Sequence, residues 1–376
     1  MKWNMITLGE CCTSITDGDH QSMPVSETGI PFIIISNIRN NTIDFSNTRY
    51  VPLSYYDSLD QSRKPQPGDI IYTVKGSFGI PVYVNADFPF TFQRDIAILK
   101  CNNSIDSQYL FQVMRSSWFY KIADQLAIGS AQRAITLKTL RNMQIPVPNI
   151  VIQRKIASIL SAYDTLIENN QKQIKLLEEA AQRLYQEWFV KLRFPGHEKV
   201  KIVDGVPEGW KRVSVTDLLQ IKYGKDHKKL KNGPIPVYGS GGIMRKVEPV
   251  LYSGESVLIP RKGSLNNILY VTGDFWTIDT MFYSVPTRNN VVKYVYLFLL
   301  GLDMYSFNIG AAVPSMTVKI LDGIYLLLPC DEVLHEFERT VNPLFERTML
   351  LSAQNEVLAE ARDRLLPKLM SGEIEV

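Results

Sequence analysis

The chain has 376 residues, 45% of them hydrophobic and 21% charged, with a net charge of +3, so two or three globular domains with sizeable cores are expected. No apolar run approaches the roughly 20 residues of a membrane-spanning helix, and the N-terminus lacks a signal peptide's apolar core, which predicts a cytoplasmic protein without membrane contact. The four cysteines lack Cys-x-x-Cys spacing and only four histidines are present, which argues against zinc and for reduced, mostly buried thiols.

A fourteen-residue stretch occurs twice in the chain. AIGSAQRAITLKTL (127–140) and NIGAAVPSMTVKIL (308–321) align without a gap at an offset of 181 residues, and six positions are identical. The chain therefore contains two copies of one unit, the first about 26 residues longer in its front part. Further matches are PGDIIYTVKGS (67–77) with SGESVLIPRKGS (253–264), and WNMITLGECC (3–12) with WKRVSVTDLL (210–219) at an offset of 207.

Short β-like runs bounded by Gly, Pro, Asn and Asp predict an irregular, twisted sheet in each copy. The run YVYLFLLGL (294–302) is predicted to be a buried helix, and each copy ends in a Pro-bounded strand before a long helix. The predicted strands are PFIIISNI (31–38), DIIYTV (69–74), PVYVN (81–85), DIAILK (95–100) and MQIPVP (143–148), then SVLIP (256–260), ILYVT (268–272), MFYSV (281–285) and IYLLLP (324–329).

Two long helices with a heptad seam are the most regular feature. Seam residues recur at alternating steps of four and three from Ile156 to Trp188, and again from Phe337 to Leu369. This spacing predicts a left-handed supercoiled pair, and Pro343 should kink the second helix or mark a start. The segment 193–210 is typical of a surface linker.

Each seam contains one asparagine, Asn170 and Asn355, at non-equivalent positions. A parallel pairing would leave each amide against an aliphatic side chain, which is costly. An antiparallel pairing in which facing residue numbers sum to 525 places the two asparagines opposite each other, and Trp188 opposite Phe337. We therefore predict this register, with these four residues pairing the helices.

The order of these features resembles the specificity subunit of type I restriction–modification systems. The matching features are the two-copy plan, helices ending LYQEWFVKLRFPG and LLPKLMSGEI, TDGDH (16–20), GPIPVYGSGGI (233–243) and the Gly-Ser/Ala-Ala loop of the repeat. An α+β fold is expected, with two pseudo-symmetric target-recognition domains, each an irregular twisted β-sheet with helices, joined by two long antiparallel coiled-coil helices. The expected boundaries are 1–150 and 194–331 for the domains (the latter with the linker), and 151–193 and 332–376 for the helices.

The resemblance implies a non-catalytic subunit that reads a bipartite, asymmetric site in double-stranded DNA, one half per domain, with the helices spanning the unread spacer. It implies two methyltransferase subunits, which bind S-adenosylmethionine and methylate adenine, and two motor–nuclease subunits, so no cofactor is expected in this chain. Two alternatives remain, a protein-only scaffold and a chain with its own methyltransferase or nuclease activity. NPLF (342–345) resembles an adenine-methyltransferase motif, but no glycine-rich S-adenosylmethionine loop follows a strand.

Polar and basic side chains in loops are the candidate DNA contacts, because Arg, Lys, Asn, Gln and Ser read base edges and basic groups hold phosphates. Each loop could instead be a solvated turn. Residues 211–262 hold eleven Lys/Arg and four Asp/Glu, against eight and ten in 1–100, so the second copy should rely more on phosphate contacts. The candidates are Lys75, Ser77, Arg94, Arg133, His20, Gln21, Asn37 and Arg39 in the first copy, and Tyr238, Ser240, Arg245, Lys246, Arg261, Lys262, Ser264, Asn266 and the run KYGKDHKKLK (222–231) in the second.

Overall fold

The computed structural model describes residues 3–20, 22–129, 132–308, 310 and 313–376. The candidate Gln21 and positions 130, 131, 309, 311 and 312 of the repeated stretch, including most of its Gly-Ser/Ala-Ala loop, lie outside this part of the chain. The chain divides into two compact units. Unit 1 comprises residues 1–170 and 353–376, and unit 2 comprises residues 171–352.

The fold is α+β, as the sequence predicts, and each unit combines short strands with parts of two long helices. Before the first long helix lie β1 (Asn4–Thr7), α1 (Leu8–Cys11), β2 (Cys12–Asp17), β3 (Ile30–Ile33), β4 (Ile38–Arg39), β5 (Thr42–Ile43), β6 (Arg49–Val51), α2 (Leu53–Ser58), β7 (Ile70–Thr73), β8 (Pro81–Tyr83), β9 (Thr91–Phe92), β10 (Ile96–Cys101), α3 (Ser107–Arg115), α4 (Ser117–Leu126), α5 (Leu137–Asn142) and β11 (Gln144–Val147).

The two long helices are α6 and α10. The remaining elements are α6 (Ile150–Tyr185), β12 (Ile202–Val203), β13 (Val206–Pro207), β14 (Lys211–Ser214), α7 (Val215–Leu218), β15 (Leu219–Tyr223), β16 (Ile235–Gly239), β17 (Gly242–Val247), β18 (Tyr252–Ser253), β19 (Ser256–Pro260), β20 (Leu269–Val271), β21 (Asp274–Thr277), β22 (Met281–Pro286), α8 (Val292–Leu300), α9 (Val318–Asp322), β23 (Tyr325–Leu328) and α10 (Asp331–Ser371). Among the described residues, no helix has both the length and the apolar character needed to cross a membrane.

The two sequence offsets recur in the strand pairing. Strand β1 pairs antiparallel with β11, with Thr7 opposite Gln144, and β14 pairs antiparallel with β23, with Ser214 opposite Tyr325. The first members of these pairs differ by 207 residues and the second members by 181, as in the sequence repeat. Thr7 and Ser214 also each form a capping box at the start of the following short helix. The repeat is therefore structural.

Equivalent sheets are built in both units. The strand order is β2-β10-β7-β8 in unit 1 and β15-β22-β19-β20 in unit 2. A second sheet places β3 between antiparallel β6 and parallel β9, and the other unit places β16 between antiparallel β17 and parallel β21. Such a shared topology is expected when two copies of one unit fold independently along the same chain.

One predicted strand is wrong in its second half. Residues 31–38 were expected to be continuous, but Ile35–Asn37 is a 3-10 turn. The reason is local: the Asn37 side chain accepts a hydrogen bond from the Ile34 amide at 3.0 Å and competes with strand pairing. The predicted buried helix is found as α8, in which Tyr294, Val295 and Leu299 are almost fully buried.

The long helices pack against each other antiparallel within unit 1. Asn170 Nδ2 donates to Asn355 Oδ1 at 2.9 Å, and Asp164 pairs with Arg362 at 2.7 Å, so residue numbers rise on one helix as they fall on the other. The asparagines that the sequence places opposite each other are therefore hydrogen-bonded. Within unit 2, the rings of Trp188 and Phe337 have centroids 5.6 Å apart.

Pro343 does not mark the start of a helix, contrary to one of the two outcomes expected for it. Helix α10 runs from Asp331 through Pro343 to Ser371. Proline removes a single backbone donor, and the apolar seam holds the helix on both sides of it, with Val341 and Leu351 both buried. Helix α6 ends at Tyr185 and is followed by a π-helical turn, Gln186–Val190.

Candidate nucleic-acid interface

The Lys-Gly-Ser loop of unit 1 lies against the repeated stretch. The loop leaves β7 at Thr73, and the Val74 carbonyl accepts a hydrogen bond from the Ile135 amide at 2.9 Å. Lys75 forms an isolated β-bridge with Ala134. The Thr73 hydroxyl accepts a hydrogen bond from the Ile80 amide at 2.9 Å, which joins the two ends of the loop. Lys75 is half-buried and Ser77 is exposed at the tip of the loop.

Unit 2 builds the same arrangement with different side chains. The Arg261 carbonyl accepts the Met316 amide at 2.8 Å, and the Gly263 amide donates to the Pro314 carbonyl at 3.0 Å. Lys262 forms a β-bridge with Ser315. Gly263 has φ +89°, a conformation that favours glycine, so the Lys-Gly-Ser sequence turns tightly between two exposed side chains. Two motifs that are distant in the sequence are therefore adjacent in each unit.

A hairpin joins this surface in unit 2. Strands β16 and β17 meet at a glycine-rich tip, where the Ser240 carbonyl accepts a hydrogen bond from Asn267 Nδ2 at 2.8 Å. A Cβ added to Gly263 would lie 3.0 Å from Ser240 Oγ, so the hairpin tip touches the Lys262–Ser264 loop. The Tyr305 hydroxyl donates to the Gly263 carbonyl at 3.4 Å. Residues 238–246 and 261–264, both candidate segments, thus form one surface.

Each unit has one candidate arginine near its Lys-Gly-Ser loop, Arg261 in unit 2 and Arg133 in unit 1, and the two are held by different contacts. The Arg261 guanidinium lies 5.2 Å from the Tyr223 ring centroid and donates to the Asp279 carbonyl at 3.3 Å. Arg133 pairs with Asp124 at 3.1 Å, with both side chains about 40% exposed. The Arg133 guanidinium also donates a hydrogen bond to the Asp124 carbonyl, and an exposed ion pair of this kind contributes little to stability.

Three candidates, Asn37, Asn266 and Arg245, form hydrogen bonds within the protein, so we expect them to support the surface rather than to contact DNA first. Asn37 is buried, and its amide caps Ile34 and donates to the Asp44 carbonyl at 3.3 Å. Asn266 uses both ends of its amide, on Asp303 Oδ1 at 3.1 Å and on the Met304 amide at 2.8 Å. Leaving the buried Asn37 amide unpaired to reach DNA would cost free energy, whereas Asn266 is exposed and its amide is held by hydrogen bonds at the surface.

Arg245 is the third of these candidates. Its Nη2 donates to the Leu230 carbonyl at 2.6 Å and to Asn232 Oδ1 at 3.1 Å. These bonds hold the basic loop 222–231 against the β16–β17 hairpin. Arg245 therefore stabilises the position of this loop on the hairpin, whereas Lys246, next in the sequence, is exposed.

The remaining candidates occupy exposed or half-buried positions. Arg39 is exposed where β4 meets β5, a hairpin whose turn residues Asn40 and Asn41 have φ +50° and +60°. Asn41 Nδ2 anchors this hairpin to the Pro81 carbonyl at 2.8 Å. His20 Nε2 lies 2.9 Å from Asp17. Arg94 and Ser264 are exposed, and Tyr238 is half-buried with its ring 6.3 Å from that of Phe275.

The basic run 222–231 is an ordered loop with exposed lysines. The Lys225 carbonyl accepts a hydrogen bond from the Trp276 indole N–H at 2.9 Å, and the Lys225 amide donates a hydrogen bond to the Thr277 carbonyl. The Asp226 carboxylate accepts the Lys228 amide at 3.1 Å, which lowers the pKa of Asp226. Because the backbone is held in this way, Lys228 and its neighbour Lys229 project from a fixed position.

Sequence reasoning missed Asn267 and Tyr305, which hold the surface of unit 2 together. Asn267 neighbours the candidate Asn266, and the sequence offers no signal that separates the two amides.

Among the described residues, no cluster of His, Cys, Asp or Glu could hold a metal ion. Cys11 and Cys12 are buried, and burial raises the pKa of Cys11 to about 11.

Comparisons with known proteins identify the family of this chain and its fold. The sequence profile described as "Type I restriction modification DNA specificity domain" matches residues 1–179 and 207–358. The chain is 26% identical over 340 residues to the type I restriction enzyme MjaIX specificity subunit of Methanocaldococcus jannaschii, covering 82% of this chain and 78% of the relative. It is 21% identical over 473 residues to the HindI specificity subunit of Haemophilus influenzae, covering 99% of each.

A solved structure has the same fold. The crystal structure of the type I restriction–modification S subunit from M. genitalium superposes with a TM-score of 0.59 at 19% identity, covering 98% of this chain and 96% of that one. At this identity the likeness shows the fold, in which β-rich domains accompany the long helices.

Proposed function

This chain belongs to the type I restriction–modification DNA specificity family, and we propose that its two units each read one half of a bipartite, asymmetric site in double-stranded DNA. It is a specificity subunit, the non-catalytic member of such a system. The recognition domains in this proposal are residues 1–150 and 194–331.

The observation that supports two half-sites is that the two units share a backbone arrangement but carry different side chains on it. In both units a Lys-Gly-Ser loop is hydrogen-bonded to the repeated stretch through equivalent backbone groups, Val74 with Ile135 and Arg261 with Met316. The groups around the loop differ: Arg133 lies where the second copy has Pro314. Two surfaces with one backbone and different side chains fit two different base sequences.

The residues proposed to touch DNA are those that the fold leaves accessible. Lys75 and Lys262 would neutralise phosphates, while serine and arginine at the same loops reach base edges in the major groove. The full set comprises Lys75, Ser77, Arg94, Arg133 and Arg39 in unit 1, and Tyr238, Ser240, Lys246, Arg261, Lys262 and Ser264 in unit 2, with Asn37, Arg245 and Asn266 as supports.

The partners belong to the same proposal. Two methyltransferase subunits, which carry S-adenosylmethionine, would dock on this chain, and two motor–nuclease subunits would complete the assembly in the cytoplasm. The long helices would span the unread base pairs between the half-sites. The alternatives are a protein-only scaffold and a chain with its own methyl-transfer or nuclease activity.

Mapping methylated adenines tests the proposal. The chain is assembled with its methyltransferase partner and applied to a library of random duplexes, and we expect two half-sites at a fixed separation. Lys75→Ala and Lys262→Ala should each weaken DNA binding, whereas Lys199→Ala, an exposed linker residue, should not. Methylation without sequence preference would contradict the proposal, as would methyl transfer by this chain alone.

A further inference from the structure

Two apolar side chains are exposed side by side on the β16–β17 hairpin of unit 2. Ile243 is 54% exposed and Met244 is 56% exposed. Single exposed apolar residues are common on protein surfaces, but this pair lies within a surface otherwise rich in lysine and glycine. Lys246 follows on the same strand, and Lys262 is exposed on the neighbouring loop.

The local backbone directs this pair outward. Tyr238 lies opposite Ile243 and Val237 lies opposite Arg245, so Met244 is the extra residue of a β-bulge. Bulges re-aim side chains and are frequent beside functional sites. Gly239 makes room for the bulge, because a Cβ there would lie 2.7 Å from Met244 Sδ. Met244 therefore lies across the hairpin tip.

The hairpin is accessible and is attached to the candidate DNA loop. Strand β17 is the edge strand of its sheet, and the Cβ positions at Gly241 and Gly242 face open space. The Ser240 carbonyl is bound by Asn267, which fixes the tip beside the Lys262–Ser264 loop. A two-stranded β-ribbon fits the major groove of B-DNA, and lysines on either side would meet phosphates.

We propose that Ile243 and Met244 read a thymine in the half-site of unit 2, through apolar contact with its 5-methyl group. In the major groove this methyl is the apolar mark that distinguishes T·A from the other base pairs. The inference rests on the proposed function, since it assigns a base-reading role within the same surface. It differs from the polar candidates because no hydrogen bond is involved.

Replacing thymine by deoxyuridine isolates the methyl group. The chain, assembled with its methyltransferase partner, is titrated with the mapped duplex in which thymines are replaced one half-site at a time. Burial of one methyl group corresponds to a loss of about fourfold in affinity when it is removed. We expect this loss in one half-site for the wild-type protein, and no loss for the Ile243→Ala/Met244→Ala variant.

The control is a second exposed apolar pair in the same unit. Ile202 and Val203 are 57% and 61% exposed on the β12–β13 hairpin, and Ile202→Ala/Val203→Ala should retain the deoxyuridine effect. Thermal unfolding should be unchanged in both variants. The inference is overturned if the wild-type protein shows no deoxyuridine effect, or if the Ile243→Ala/Met244→Ala variant shows the same effect as the wild type. It is also overturned if the control variant loses the effect. None of these results would change the mapped half-sites. Absence of any sequence preference in wild type overturns the proposed function itself.

Discussion

Two charged residues, the half-buried Asp164 in unit 1 and the buried Lys293 in unit 2, link the long helices to the globular part of each unit. In unit 1, Asp164 of α6 accepts hydrogen bonds from Gln112, Arg115 and Arg362, each at 2.7 Å. Burial raises the pKa of Asp164, but the Arg115 charge and these hydrogen bonds outweigh it and hold the pKa below its usual value. The carboxylate therefore joins three helices, α3, α6 and α10.

The hydrogen bonds of Asp164 should make the free energy of unfolding decrease at acidic pH. A carboxyl group whose pKa is lowered by folding stabilises the protein above its unfolded pKa of about 4, and this contribution is lost as the pH falls through the folded pKa. We expect Asp164→Asn to lower the free energy of unfolding at pH 7 by about 1–3 kcal/mol, and to flatten its decline below about pH 4. Urea unfolding between pH 2 and 7 measures both.

Asp363→Asn provides the control, because Asp363 also pairs with Arg362 but is 65% exposed. Its unfolding curve should match that of the wild type at pH 7. An Asp164→Asn protein with the full wild-type acid dependence would contradict the role given to Asp164.

In unit 2 the equivalent link is Lys293 of α8. Its side chain is 3% exposed, and Nζ donates to Glu255 at 2.6 Å and to Glu338 of α10 at 2.5 Å. Lys293→Met would leave Glu338 without its cation, and breaking a buried pair in this way costs about 3–5 kcal/mol of unfolding free energy. We expect a loss near the lower limit, since Glu255 is 39% exposed and can be hydrated.

Chemical denaturation with a matched lysine checks this expectation. Lys191 is 53% exposed and pairs with Glu187 at 2.5 Å, so Lys191→Met should change the unfolding free energy by less than about 1 kcal/mol. The further change Lys293→Met/Glu338→Leu should recover part of the loss. Equal effects of the two lysine substitutions would show that burial of Lys293 is unimportant.

Among the elements, helices α6 and α10 meet along a seam that contains a pair of asparagines, Asn170 and Asn355, besides its apolar residues. Asn170 is buried and donates to Gln354 Oε1 at 3.1 Å as well as to Asn355. Buried asparagines at seam positions select register at some cost in stability. The pair is therefore expected to fix how the two helices are aligned.

Asn170→Leu should destabilise the protein by about 1–2 kcal/mol, because the Asn355 amide loses its partner. Asn170→Leu/Asn355→Leu should restore the wild-type free energy of unfolding or exceed it. The double variant should, however, lose the polar pair that fixes the alignment of the two helices. Asn169→Leu, at the exposed neighbouring position, is the control and should have little effect. Additive losses in the double variant would show that the two amides act independently.

At the scale of the whole molecule, positive charge is distributed unequally between the copies. Residues 211–262 carry an excess of seven positive charges, and the exposed lysines Lys228 and Lys229 lie in a loop held by backbone hydrogen bonds. Phosphate neutralisation releases counterions, so each contact adds about 0.9 to the dependence of log affinity on log salt. Unit 2 should therefore supply most of the salt dependence of DNA binding.

Lys228→Gln/Lys229→Gln should reduce the slope of log affinity against log salt by about two. Fluorescence anisotropy of the methyltransferase complex between 50 and 300 mM salt, about the range in which phosphate contacts dominate, measures this slope. Lys199→Gln/Lys201→Gln removes the same net charge from the linker and should leave the slope unchanged. Equal slopes in the two variants would mean that net charge alone acts on DNA.

The sequence alone determined the repeat, the strands that close each unit and the seam of the long helices, because these depend on periodic patterns along the chain. An offset of 207 at Thr7 and Ser214, and of 181 at Gln144 and Tyr325, was sufficient to match the paired strands of both units. Likewise, two asparagines in heptad positions were sufficient to predict which residues face each other.

The accessibility of the polar loop residues depends on contacts that form only when the chain is folded. Asn266 is held by Asp303 and Met304, and Arg245 by Leu230, and none of these partners follows from a local pattern. The bulge that exposes Met244 is likewise visible only once β16 and β17 are paired. How firmly a polar side chain is held within the protein depends on contacts between residues far apart in the chain, which no local sequence pattern encodes.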